Sequence, residues 1–176
     1  MADAADLVLA ASRAPRPGAE LGRLSEILMQ HAAVQDLLAG CGPGVVKIDH
    51  RLESLARGLV DVHPHLEEVT THVQRIAVSG RSARWLVVVA SEIIGSFAVD
   101  PGPVGCTGVA LGLSIEEDVV VIAAAGASGD GPSLHLDGAR RLVLAMGGRF
   151  RETMVDGVRA IDVAIPCRVF ARGVAR

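Results

Sequence analysis

From Trp85 to Val99 the chain reads WLVVVASEIIGSFAV, a run whose one charged residue is Glu92 near its middle. Side chains this apolar must be hidden from water, in a bilayer or in a protein core. The run is short of the roughly 20 residues that a membrane-spanning helix needs. It therefore reads as a helix from Arg81 to Phe97 with a sharply apolar face, buried in the middle of a domain. The question it raises is whether Glu92 does chemistry or is a leftover polar residue.

A chain of 176 residues, 50% hydrophobic, suffices for one ordinary domain or a small domain with a helical appendage. Its aromatics are Trp85, Phe97, Phe150 and Phe170, with no tyrosine, too few to stack nucleic-acid bases. With 17 basic and 20 acidic side chains the net charge is -3, which offers no broad cationic field to nucleic acid or an anionic membrane. Protein or small-molecule partners are expected instead. Cys41, Cys106 and Cys167 are widely spaced and read as small buried hydrophobes in a reducing cytoplasm, with no pair to hold a structural metal. The start, MADAADLVLAASRAPRPGAE, lacks the cationic region of a secretory signal, so a cytoplasmic location is expected.

Residues 1–17 are Ala-rich, end in Arg and Pro, and read as a flexible arm. Leu21, Leu24, Ile27, Leu28, Val34, Leu37 and Leu38 then recur at helical spacing until GCGPG at residues 40–44. Val45, Ile48, Leu52, Leu55 and Leu59 make a second stripe that ends before or bends near Pro64. Residues 18–66 are thus expected to form an antiparallel helical hairpin, which needs the rest of the chain or a second copy to cover its stripes. HVQRIAVSG, from His72, fits either a strand or the tail of a helix. Beyond the core helix, GVALGLS (108–114) and DVVVIAAAG (118–126) read as adjacent strands joined through IEED, the second in an interior position. A loop, GASGDGPS, leads to a helix in HLDGARRLVLAMGG, and two final strands turn at Asp156 and Gly157. The fold class is α+β: a hairpin over 18–66, then a sandwich of one helix layer on one mixed sheet over 67–176.

The order from Arg81 to Pro166 resembles the ATP-binding domain of sensor histidine kinases and the wider GHKL (Bergerat) fold, and the hairpin is similar to their dimerisation and phosphotransfer helices. In that family an E-x-x-x-N helix supplies a carboxylate near the reacting phosphate and an Asn towards magnesium, and D-x-G-x-G reads adenine. RSARWLVVVASEIIGSF places Glu92 on the motif's Glu and Ser96 on its Asn; VVVIAAAGAS places Ala124 on the adenine-reading Asp, Gly126 on the first glycine and Ser128 on the second. ARRLVLAMGGRF matches the helix and Gly-Gly turn that come after the lid, and GVRAIDVAIP matches the closing strand. Ala124 has no acceptor and Ser96 is a poor magnesium ligand, so the resemblance implies a degenerate site with no bound cofactor and no metal. Gly126, Gly129 and Gly131 could still cradle an anion, although ordinary turns use the same residues.

The hairpin resemblance makes His31 the first candidate phosphoryl acceptor and His50 the second. His31 shares a face with Leu24, Ile27 and Leu38, which equally fits a core or interface histidine; Ala32 stands where the acceptor's acidic neighbour belongs, with Asp36 one turn on. His50 points away from the second stripe and is followed by Arg51, a residue suited to phosphate. His63, His65 and His72 lack the spacing of a zinc site. His135 is expected to begin the helix after the lid. The resemblance implies a histidine phosphotransferase-like two-component signalling protein without ATP-dependent autokinase activity. It would dimerise through its hairpin into a four-helix bundle and dock response-regulator receiver domains. The alternatives are a pseudokinase-type regulator that only binds a receiver or a sigma-type factor, and a small-molecule sensor using the remnant crevice.

Overall fold

The computed structural model describes residues 17–42, 44–99, 107–128 and 136–170. The arm up to residue 16, Cys106, Gly129, Gly131 and His135 lie outside the described residues.

Helix α1 runs from Pro17 to Ala39, with a proline at its first position where no N–H is needed. A short strand β1 (Val45–Lys47) leads directly into α2 (Ile48–Val62). Strands β2 (Leu66–Val73) and β3 (Ala77–Ser79) precede α3 (Gly80–Val99). The chain closes with β4 (Thr107–Glu116), β5 (Val119–Ala127), α4 (Asp137–Ala145), β6 (Arg149–Val155), β7 (Val158–Pro166) and a 3-10 turn at Cys167–Val169. The main sheet has the order β2-β4-β5-β7-β6, with β2 and β4 parallel and the other pairs antiparallel. A separate antiparallel ribbon pairs β1 with β3.

The anticipated sandwich of helices on one mixed sheet is present, and β5 occupies the centre of that sheet. Its inward residues Val120, Ile122 and Ala124 alternate with half-exposed neighbours, as do Ile161, Val163 and Ile165 on β7. The turn at Asp156 and Gly157 has positive φ at both positions, 51° and 75°, which is the backbone of a type I′ hairpin. Helix α3 is 20 residues long and by length and composition could cross a membrane, but 72% of its most apolar window is buried inside the protein. It packs against α1, α2, α4, β4 and β5, so its hydrophobicity is used internally.

Residues 18–66 differ from the expected hairpin in how the two helices are joined and in what the second one packs against. Val45 to Lys47 are extended and hydrogen-bond to β3 rather than continuing the second stripe, so α2 begins only at Ile48. Ile48, Leu52, Leu55 and Leu59 are at most 1% exposed, under α1, α3 and β2. A stripe consumed within its own chain cannot also line a four-helix bundle with another copy, because each side chain is removed from water once. Helix α2 is a member of the sandwich's helical layer, and of these two helices it is α1 that retains exposed large apolar side chains, Leu21, Leu28 and Met29. HVQRIAVSG resolves into the end of β2, a turn and β3.

Candidate functional site

Helix α1 lies across α2 and α3 and is fastened to them by polar contacts. At its C-terminal end the last carbonyls are capped from outside: Arg51 of α2 donates to the Gly40 carbonyl at 2.7 Å, and Arg84 of α3 donates to that of Cys41 at 2.9 Å. Cations near a helix C-terminus satisfy its orphan carbonyls and favour its dipole. Arg51, which the sequence offers as a phosphate ligand, is committed here. Near the middle of α1, Gln30 Nε2 donates to the Ser91 carbonyl of α3 at 3.2 Å, and its Oε1 lies 3.0 Å from His63 Nε2 at the end of α2.

This docking brings together two residues singled out from the sequence for separate reasons. His31 of α1 and Glu92 of α3 line one cleft of about 140 Å³, with Ile27, Gln30, Gly95 and Val99 as its other walls. His31 is exposed, so it is an accessible imidazole and not the core histidine that its helical face suggested. Glu92 is half-buried; burial raises its carboxyl above the usual range, and His31 opposes that by pulling it back down. Its Oε2 also lies close to Gly138 in the first turn of α4, 3.9 Å from where a Cβ would stand.

His50 is elsewhere. It stands on the solvent side of α2, 3.6 Å from Glu53, and is not among the residues that line the His31 cleft. His63 is 2% exposed, and burial lowers its pKa, while the Glu26 carboxylate raises it and His65 lowers it further. His65 and His72 are exposed, and among the described residues no group of three or more His, Cys, Asp or Glu side chains is placed to hold a metal ion.

The positions aligned with the nucleotide motifs are occupied by packing. Ser96 is fully buried and its hydroxyl donates to the Ile93 carbonyl of its own helix at 2.7 Å, so it is turned away from any ligand. Ala124 is 4% exposed in the sheet core. A Cβ on Gly126 would come within 2.7 Å of the Gly108 carbonyl oxygen on β4, so this glycine is explained by strand packing. Arg159, opposite Gly126 on β7, is fully buried: it donates weakly to the Ser96 carbonyl at 3.5 Å, lies 5.9 Å from the Phe97 ring centre, and approaches Glu152 at 3.5 Å. A permanent cation thus sits beside Ser96. Ala124 presents no side-chain acceptor, and the Ser96 hydroxyl is spent within its own helix.

Sequence reading missed Gln30, His63, Gly95 and Arg159 as structural determinants. Arg159 was accessible to it, because parity along VRAIDVAI puts residue 159 on the same face as Ile161, Val163 and Ile165. Gly95 was too, as a glycine inside an otherwise continuous helix.

No family model matches the chain, and no curated protein is similar to it in sequence. By structure, the order of strands and helices is that of histidine-kinase catalytic domains, the GHKL-like ATPase fold. The histidine kinase domain of the Erythrobacter litoralis EL346 blue-light-activated kinase matches with a TM-score of 0.61 at 13% identity, over 88% of this chain and 79% of that one. A bacterial phosphotransferase matches with a TM-score of 0.56 at 8% identity, over 91% and 87% of the two chains. The Acinetobacter baumannii histidine kinase AdeS matches at 0.54 and 8% identity, over 93% and 91%. At such identities the likeness establishes the fold.

Proposed function

We propose that the protein is a two-component signalling component that accepts and returns a phosphoryl group at His31 without using ATP. The observation that carries this reading is the shared cleft, in which an exposed histidine on α1 faces Glu92 of the same chain. In the forward step an imidazole nitrogen of His31 attacks the phosphorus of a receiver's aspartyl phosphate, the P–O bond breaks, and the receiver's carboxylate leaves. The imidazole proton passes to the Glu92 carboxylate, which compensates for Ala32 at the place of the usual acidic neighbour. In-line placement is most of what such a transfer needs, with the receiver supplying its own magnesium site. The character of Ser96, Ala124 and Arg159, a spent hydroxyl, a methyl group and a buried cation, supports loss of ATP binding.

The same reading places the dimer contact on the outer face of α1, where Leu21 and Leu28, two turns apart, are 40% and 44% exposed. Incubation with a phosphorylated receiver, and separately with ATP, tests the function. Acid-labile label taken from the receiver and lost in His31→Ala supports relay. Label from ATP defeats the loss of the nucleotide site, and no label under either condition leaves the pseudokinase-type regulator, which acts by binding alone.

A further inference from the structure

Gln30 occupies an unusual seat. Its amide fits where α3 has no side chain: a Cβ added to Gly95 would lie 2.8 Å from Nε2, closer than packed atoms approach, and a tight 3.1 Å from Oε1, so the amide would have to shift. Both ends of the amide are used, the N–H towards the Ser91 carbonyl on α3 and the oxygen towards His63 on α2. The second bond fixes the tautomer, since an oxygen can only accept, so His63 carries its proton on Nε2. Leucine or methionine would fill the same volume and make neither bond, and glutamate would keep the acceptor while setting a carboxylate oxygen against the Ser91 carbonyl.

Position along the chain gives this contact its significance. Arg51 and Arg84 fix the C-terminal end of α1, Val34 seats the next turns in the core, and Gln30, one turn further out, is the polar contact adjacent to His31. We propose that Gln30 is a positioning residue, whose amide, seated in the notch at Gly95 and bonded to Ser91 and His63, sets the rotation of α1 that turns His31 into the cleft with Glu92. The proposal rests on the relay reading only for why His31 should be held there; the positioning itself is a statement about geometry. The clasp makes the His31–Glu92 pair a preformed feature of the single chain, so no helix movement is needed to assemble it.

The test uses the full chain and the variants Gln30→Glu and Gly95→Ala, the first removing the donor and the second filling the notch. The Glu92 carboxyl is titrated by carbon-detected NMR with and without His31→Ala. In the parent chain, His31→Ala moves the Glu92 midpoint upward, because His31 normally lowers it. In either clasp variant that shift is lost, while circular dichroism and the denaturation midpoint report a folded chain; a destabilised Gly95→Ala leaves Gln30→Glu to decide. Phosphoryl transfer from a receiver falls tenfold or more in the same variants. An undiminished His31–Glu92 shift in folded clasp variants overturns the positioning role. A shift that is lost in a protein that never takes label defeats the relay reading and leaves the positioning intact.

Discussion

Helices α1 and α2 begin from similar sequence patterns and reach different ends. Both carry leucines at helical spacing, but α2 buries Leu52, Leu55 and Leu59 almost completely while α1 leaves Leu21, Leu28 and Met29 at least 40% exposed. The difference is made by the strands that flank each helix. Strand β1 pairs with β3 in the separate ribbon and β2 pairs with β4 in the main sheet, so α2 is strapped by strands at both ends. Helix α1 has no strand before it among the described residues and is held by Arg51, Arg84 and Gln30 together with a narrower apolar contact centred on Val34. One helix belongs to the core by area, the other by a few directional bonds.

The largest expected effect separates the two helices directly. Leu55→Ala removes a side chain with 1% exposure and should destabilise the fold by about 2–5 kcal/mol in urea denaturation, whereas Leu28→Ala, measured at concentrations too low for dimers, should stay within about 0.5 kcal/mol. Comparable losses at both sites would break the contrast. A paired Leu21→Glu and Leu28→Glu substitution sharpens it: under the proposed dimer, light scattering should report the monomer mass while the far-ultraviolet dichroism is kept.

A smaller effect belongs to His63, which joins α2 to α1. Its folded pKa is depressed by burial, so the stability it confers is complete above the unfolded value of about 6.5 and is lost as the pH falls towards and through the folded one. Folding midpoints measured across that window should fall with pH by no more than about 1.4 kcal/mol per unit for this one proton, and His63→Gln should flatten the slope. The smallest effect lies where α1 meets α3. Glu92 titrates high, so the stability linked to it is present below about pH 4.3 and is lost as the pH rises through the folded value. Glu92→Gln should therefore raise the melting temperature at pH 7 to 8, by at most about 4 °C, with the gain disappearing in acid. A loss of stability at neutral pH would show that the carboxylate is held by a favourable partner.

The body of the fold was legible because its signals are local. A continuous apolar run marked β5, Asp156-Gly157 marked the final hairpin, and the run around Glu92 marked the core helix. The fate of α2 was not, because the three extended residues Val45 to Lys47 take their conformation from a partner strand 30 or more positions away, which periodicity does not register. Strand β2 was missed for a related reason: LEEVTTHV is polar at an edge, and only Leu66 is buried. At the candidate site, the sequence supplied His31 and Glu92 as isolated residues. Their meeting depends on Gln30, His63 and Gly95, and no spacing in the chain encodes a contact among three helices.

The arginine caps at Gly40 and Cys41 fix one end of α1, and among the described residues the other end has no such cap. A helix of 23 residues is about 34 Å long, so it is a lever pivoting near Cys41. A tilt of about 5° there displaces the outer end by about 3 Å and the Gln30 seat by less than half as much. A load applied near Pro17 therefore acts with mechanical advantage on the clasp.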